Sequence, residues 1–434
     1  MPSSEGSLAI KLLRAVRSRR KERGATHTSE IPSTVVPARL REAALSDFPE
    51  VMALKQRWGL IWDSASDWDR MWRQNPALRY GKSEPAIGWV LEADGRIVGY
   101  LGNIPLLYRC GSETLTAVAG TSMVIEPAYR AGVVSLIAAF YRQKEVDLYL
   151  TTTAIEAVGK VTKAFKASVL PQADYDSVLV WVLRLGRFAE VVVKMLDVKP
   201  SVAPAARILA SLALRTDKVV RRRWPPKLSA SIRKISVNEI GDDFDQLWLR
   251  KLAERPRLLA IRSAEMLRWH FDSADSSPSV LCAYEGSELT GYVMVRHEPP
   301  SSTTGLQRSI IADMIAREDD PQVLAALWTA AYEEAKRAGS HTFEILGFPP
   351  AIRQIGLQWH PYVRKYPACP FYYKAADPAR HQMLSNGDLW YASPYDGDTT
   401  VWSFGTAAQR RNAQEATSSA ERLELLEARG NPPT

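Results

Sequence analysis

Cysteine is scarce. The 434 residues contain three, Cys110, Cys282 and Cys369. They are too few for a disulfide framework and too far apart for a metal spacing, so the chain suits a reducing compartment. Long apolar runs are also missing: none reaches the roughly 18 residues that a membrane-spanning helix needs. The basic first residues have neither a continuous apolar core nor a small-residue cleavage site, so no secretory signal is expected. Together these absences predict a cytoplasmic protein. His270, His297, His341 and His360 are scattered without the spacing of a metal site, and no metal is expected. No zinc finger or other nucleic-acid motif is present, and nucleic acid is not an expected partner.

What is present is the composition of a folded chain. Hydrophobic residues make up 46% and charged residues 24%, enough for a core, and the length predicts about two domains. The formal net charge of +8 is unevenly placed. Residues 1–37 hold seven Lys/Arg against three acids, and residues 184–234 hold thirteen against three. The rest of the chain is net acidic. The basic charge therefore lies in an N-terminal arm, 1–37, and a helical linker, 186–230. Those segments fit solvated surface, or contact with an anionic membrane surface or polymer.

Between and beyond them a pattern of elements runs twice. In residues 38–185 a short strand at 39–43 is followed by a helix capped at Ser46-Asp47 and a second helix carrying Trp68 and Trp72. Alternating segments at 87–92, 96–108 and 114–125, with turns at Asp94-Gly95 and Gly111-Ser112, read as a three-strand meander. Helix, strand, helix and a strand at 175–184 complete the set. In residues 231–375 the same order recurs, ending on a strand at 370–374, so two copies are expected. Residues 376–434 read as a tail, helical from about 407 to 429. Its aromatic cluster Trp390 to Asp398 is a candidate to dock back on a module.

The stretch that carries chemistry is Met123-Val124-Ile125-Glu126-Pro127-Ala128-Tyr129-Arg130-Ala131-Gly132-Val133-Val134-Ser135. A strand enters a tight turn and then a helix. A helix start offers backbone donors and the positive end of the dipole, so it binds a pyrophosphate without a metal. Arg130 adds charge, and Gly132 lets the backbone approach closely.

This stretch resembles the phosphate-binding step of the GNAT superfamily of acyl-CoA N-acyltransferases. That family's strand leads through Val-x-Pro-x-Tyr-Arg into a glycine-rich turn. Val124 to Arg130 follow the pattern; only Gly132 represents the glycines, and the turn is about one residue short. The resemblance implies an α/β (α+β) fold of two tandem GNAT-like modules, each a mixed, mostly antiparallel sheet flanked by helices. It implies acetyl-CoA or another acyl-CoA as co-substrate, held by Met123, Val124, Arg130, Ala131, Gly132, Val133, Val134 and Ser135. It also places the acyl group between the fourth and fifth strands, beside Thr151 to Thr153.

Acyl transfer to an amine needs a proton acceptor. Glu126, at the strand end, is the candidate base; its other reading is a carboxylate serving the helix dipole. Glu42 and Asp147 are weaker candidates. The helix after the fifth strand lacks the tyrosine acid of many relatives, leaving Tyr129, Tyr141 or Tyr175. The second copy has Arg317-Glu318-Asp319-Asp320-Pro321 where the phosphate turn belongs, so it is expected to bind no CoA. The expected acceptor is a primary amine on a small molecule, such as an amino sugar, or on a cell-surface polymer precursor. Two alternatives stand: a peptidoglycan-bridge type of aminoacyl or peptidyl transferase, and a non-catalytic binding protein of this fold.

Overall fold

A computed structural model describes residues 37–402, apart from 59–63, 81–84, 197, 227–230, 273–276, 302–303 and 366–369. The helices expected in 1–37 and 407–429 lie outside the described residues, as does Cys369. The strands are β1 (Arg39–Glu42), β2 (Gly88–Ala93), β3 (Arg96–Cys110), β4 (Glu113–Ile125), β5 (Leu148–Thr151), β6 (Ser168–Val169), β7 (Ser177–Val182), β8 (Ile232–Ile235), β9 (Leu258–Ala260), β10 (Ser279–Glu285), β11 (Glu288–His297), β12 (Arg308–Ala316), β13 (Thr342–Ile345), β14 (Tyr362–Lys365) and β15 (Tyr372–Ala375). The helices are α1 (Phe48–Arg57), α2 (Ala65–Trp72), α3 (Val133–Tyr141), α4 (Glu156–Ala164), α5 (Leu185–Met195), α6 (Ala203–Val220), α7 (Asp242–Glu254), α8 (Ala264–Phe271), α9 (Pro321–Arg337), α10 (Pro350–Leu357) and α11 (Pro378–Met383).

The strands form two mixed, mostly antiparallel sheets with one common order. The first runs β1-β2-β3-β4-β5-β15-β6, with β9 added to β3; the second runs β8-β10-β11-β12-β13-β7-β14. In each, the fourth and fifth strands are the parallel pair. The meanders are local products of the sequence. Asp94 and Gly95 both have positive φ (51° and 70°), the two-residue turn that matches strand twist, and it sets Ala93 opposite Arg96.

One strand of each sheet comes from elsewhere in the chain. β7 lies between β13 and β14, and β15 lies between β5 and β6. The expected segments closed their own copies: 175–184 was to end the first and 370–374 the second. The chain instead exchanges them. Two compact units result, which do not follow the linear division into 38–185 and 231–375. One holds 176–235 and 278–365; the other holds the described residues up to 175, 236–277 and 366–402. The segment 186–230 contributes α5 and α6 to the first of these. β7 and β15 are almost wholly buried, so a continuous apolar run satisfies either sheet equally well.

In the unit that holds β4, one core packs Trp89, Leu91, Val98, Leu101 and Val118 against Leu136, Ile137 and Phe140 of α3, with Tyr149 and Tyr372. The α2 side is held by reciprocal bonds. Arg70 donates to the Trp269 carbonyl at 2.9 Å and to the Val401 carbonyl at 2.6 Å, and Trp269 Nε1 donates back to the Arg70 carbonyl at 2.9 Å. The cluster Trp390 to Asp398 does dock, with Trp390, Tyr391, Ala392, Tyr395 and Asp398 all buried.

Candidate functional site

β4 and β5 pair only through Ala117–Leu148, Val118–Tyr149 and Ala119–Leu150. β5 stops at Thr151, while β4 continues to Ile125. The sheet therefore opens beyond Ala119, and the edge of β4 from Gly120 onward lacks a partner strand on that side. A bulge sharpens the opening. Gly102 faces Thr121 and Tyr100 faces Val124, so Ser122 and Met123 oppose Leu101 alone. Ser122 adopts φ 53°. A bulge of this kind bends the strand and re-aims its groups.

Past Ile125 the chain enters a 3-10 helix, Pro127–Gly132, which runs directly into α3. Arg130, Ala131, Val134 and Ser135 are exposed. The Arg130 side chain makes no hydrogen bond or ion pair among the described residues, and it stands at the positive end of α3. Two details differ from the expectation. The Val133 amide donates to the Arg130 carbonyl, since a 3-10 turn spends its donors internally. Gly132 has a packing reason: a Cβ there would sit 2.4 Å from Leu91 Cδ1. A side chain at this position would have to displace the end of the buried Leu91 side chain.

Glu126 directly follows β4, with its amide donating to the Val98 carbonyl at 2.9 Å. Its carboxylate is buried and faces β3 and α1. Arg96 donates to Oε1 at 2.7 Å and Arg57 donates to the same atom at 3.1 Å. The Arg96 guanidinium is raised, with the hydrogen bond to Glu126 as the leading cause. Neither arginine was singled out from the sequence, because the contacts span 30 and 69 residues. Of the weaker candidates, Glu42 is exposed at the end of β1. Asp147 accepts from the Thr116 amide and hydroxyl, both at 2.9 Å, at the opposite end of the β4–β5 pair.

The tyrosines separate clearly. Tyr141 is buried on α3, and burial pushes its phenol up to about 12 against a lowering influence of Thr151 and Thr162. It is therefore protonated at neutral pH, the form a proton donor requires. Burial also raises Tyr175, whose hydroxyl donates to the Ser393 carbonyl at 3.4 Å. Tyr129 packs against the α3 core.

The apex of the opening is occupied by a carboxylate the sequence reading did not single out. Asp398 accepts from Thr121 at 2.8 Å, from Thr152 at 2.7 Å and from Thr153 at 3.0 and 2.9 Å. Its amide donates to Thr152 Oγ1 at 3.2 Å, and Trp402 Nε1 donates to Thr121 Oγ1 at 3.0 Å. The tail thus bridges the two diverging strands. Gly397 makes the approach feasible: it has φ 68°, and a Cβ on it would meet Thr152 Cγ2 at 2.4 Å. The available signal was Asp396-Gly397-Asp398 at the end of an aromatic cluster. Tyr108 fixes the same turn, donating to Asp396 at 2.6 Å.

The turn between β12 and α9 is closed. Asp320 accepts from the amides of Gln322 (2.7 Å) and Val323 (3.1 Å), the donors that an anion would use. Arg317 is turned toward Glu285 and Glu288 at 3.0 and 3.1 Å. Among the described residues no group of three or more His, Cys, Asp or Glu is placed to hold a metal, and no helix is long and apolar enough to cross a membrane.

No protein-family model matches the chain, and no curated protein matches it. Solved structures do. A GCN5-related N-acetyltransferase from Kribbella flavida is 11% identical, with a TM-score of 0.50 over 79% of this chain and 72% of that one. The enzyme of the same description from Anabaena variabilis ATCC 29413 is 10% identical, with a TM-score of 0.48 over 78% and 73%. Saccharomyces cerevisiae N-myristoyltransferase with bound myristoyl-CoA is 12% identical, with a TM-score of 0.48 over 80% and 81%. The Kribbella flavida comparison carries the fold. The chain is a mixed α/β protein with the fold of the GCN5-related N-acetyltransferases, as the resemblance at residues 124–130 implied.

Proposed function

We propose that this chain moves an acyl group from acyl-CoA to a primary amine. The observation that carries the reading is the opening between β4 and β5 leading to the free Arg130 at the start of α3. Acyl-CoA would lie with its pyrophosphate at Arg130 and the first turn of α3, and its thioester in the opening beside Thr121 and Thr151. Acetyl is the acyl group we favour, because Asp398 and Trp402 fill the apex. The acceptor would be an amino sugar or a polymer precursor, and the setting cytoplasmic. The basic segments would add peripheral contact with an anionic membrane surface.

In the reaction the amine nitrogen attacks the thioester carbon, the C–S bond breaks, the ammonium loses a proton, and the CoA thiolate gains one. Glu126, whose carboxylate is turned toward β3, is the candidate acceptor of that proton through intervening water, with Arg57 and Arg96 orienting its carboxylate. Tyr141 is the candidate donor to sulfur. One acyl-CoA per chain is expected, since the β12–α9 turn spends its amides on Asp320.

A second reading, a non-catalytic binding protein, is favoured by the Val133 amide's internal bond. Thermal shift with acetyl-CoA, longer acyl-CoAs and free CoA separates the two readings. A ligand at 100 times its dissociation constant adds about 2.7 kcal/mol. No shift with any of them rejects the acyltransferase reading. A shift with acetyl-CoA, followed by thiol release on adding amines, supports it.

A further inference from the structure

α6 and its N-terminal flanking residue Val202 expose an apolar stripe. Val202, Ile208, Leu209, Leu212, Val219 and Val220 are 52%, 58%, 66%, 55%, 59% and 74% exposed. Their spacing along the helix puts them on one face, while Ala210 and Leu214 pack inward. An apolar face of this extent, left uncovered by the described residues, marks an interaction surface. Its surroundings say with what. Residues 184–224 hold ten Lys/Arg against three Asp/Glu. Two of those acids are already engaged: Asp217 by Arg221 and Arg223, and Glu190 by Arg187. The side chains of Arg207, Arg215 and Arg222 make no ion pair among the described residues. Beside the stripe, α5 and α6 flank an open cleft of about 680 Å³, lined by Arg184, Arg187, Arg207 and the Arg187-paired Glu190 together with Ile208 and Leu212. Guanidinium groups beside apolar walls match a phosphate headgroup above acyl chains. Trp224, 43% exposed, follows the helix, and such a side chain suits the membrane–water boundary.

We propose that α6 lies in the surface of an anionic phospholipid membrane, its apolar stripe among the acyl chains and Arg207, Arg215 and Arg222 on lipid phosphates. This partner is independent of the acyl-transfer reading. Apolar insertion and anionic attraction together are what interfacial helices use. A second copy of this chain is disfavoured as the occupant, because it would bring the same unpaired arginines against one another.

The test is co-sedimentation of the full-length chain with phosphatidylcholine vesicles and with vesicles containing 30 mol% phosphatidylglycerol. Anionic vesicles should bind at least ten-fold more tightly, and the difference should shrink at high salt. Leu209→Glu/Val220→Glu, at exposed positions and with an unchanged melting curve, should lose at least ten-fold of that binding. Arg215→Glu/Arg222→Glu should lose the preference for anionic vesicles. Absent binding, equal binding to both vesicle types, or undiminished binding by Leu209→Glu/Val220→Glu overturns the proposal. So does a doubled solution mass that the same apolar variant abolishes, which would assign the face to a second copy.

Discussion

Asp398 accepts a hydrogen bond from Thr121 at 2.8 Å across 277 residues of chain. With Thr152 and Thr153 also donating, this carboxylate ties the tail to both strands where the sheet opens. Asp398→Ala would leave the buried Thr121 and Thr152 hydroxyls and the exposed Thr153 hydroxyl without their acceptor. The expected loss is about 3 kcal/mol of stability, given that hydrogen bonds to charged groups contribute about 1.5–3 kcal/mol each. Urea denaturation measures it; an unchanged midpoint would show that the tail is not anchored there.

Gly132 and Leu91 form a coupled pair. Gly132→Val should destabilise the fold through the 2.4 Å approach to Leu91, at about 1–3 kcal/mol for overpacking. Adding Leu91→Ala should recover part of that loss. A double-variant cycle with zero coupling would contradict the contact. The same cycle guards against reading lost CoA affinity in Gly132→Val as a phosphate effect.

Arg130 is the cleaner probe of the phosphate position. Its side chain is exposed and unpaired among the described residues, so Arg130→Glu should leave the melting temperature unchanged. CoA affinity should fall at least ten-fold, about 1.4 kcal/mol, and less so at high salt. Calorimetry that finds equal affinities would move the pyrophosphate elsewhere.

Glu126→Gln keeps the shape of the strand end and removes the charge between Arg57 and Arg96. The variant should bind acetyl-CoA normally and lose amine acylation by about 10²–10⁴-fold, the span of general-base removal. Full activity would leave the proton to water and make Glu126 a positioning residue for the two arginines.

Asp320 caps α9, so Asp320→Ala should cost about 1 kcal/mol. Calorimetric CoA stoichiometry should stay near one per chain in the wild type and in this variant. Two equivalents in either would mean that the β12–α9 turn is a site after all.

Much of this was local and therefore legible in the amino-acid order. Asp94-Gly95 dictates its own turn, the alternating runs around it dictate a meander, and Val124 to Arg130 dictate a strand, a proline step and a helix start. Such features depend on residues within a few positions of one another. The destinations of β7 and β15 were not legible, because a strand buried on both faces reads the same whichever sheet receives it. Nor could neighbouring residues reveal why position 132 is glycine, what flanks the Glu126 carboxylate, or which acid reaches the opening. Leu91, Arg96 and Thr121 are brought to Gly132, Glu126 and Asp398 by strand register and tail docking, and these depend on the packing of the whole unit.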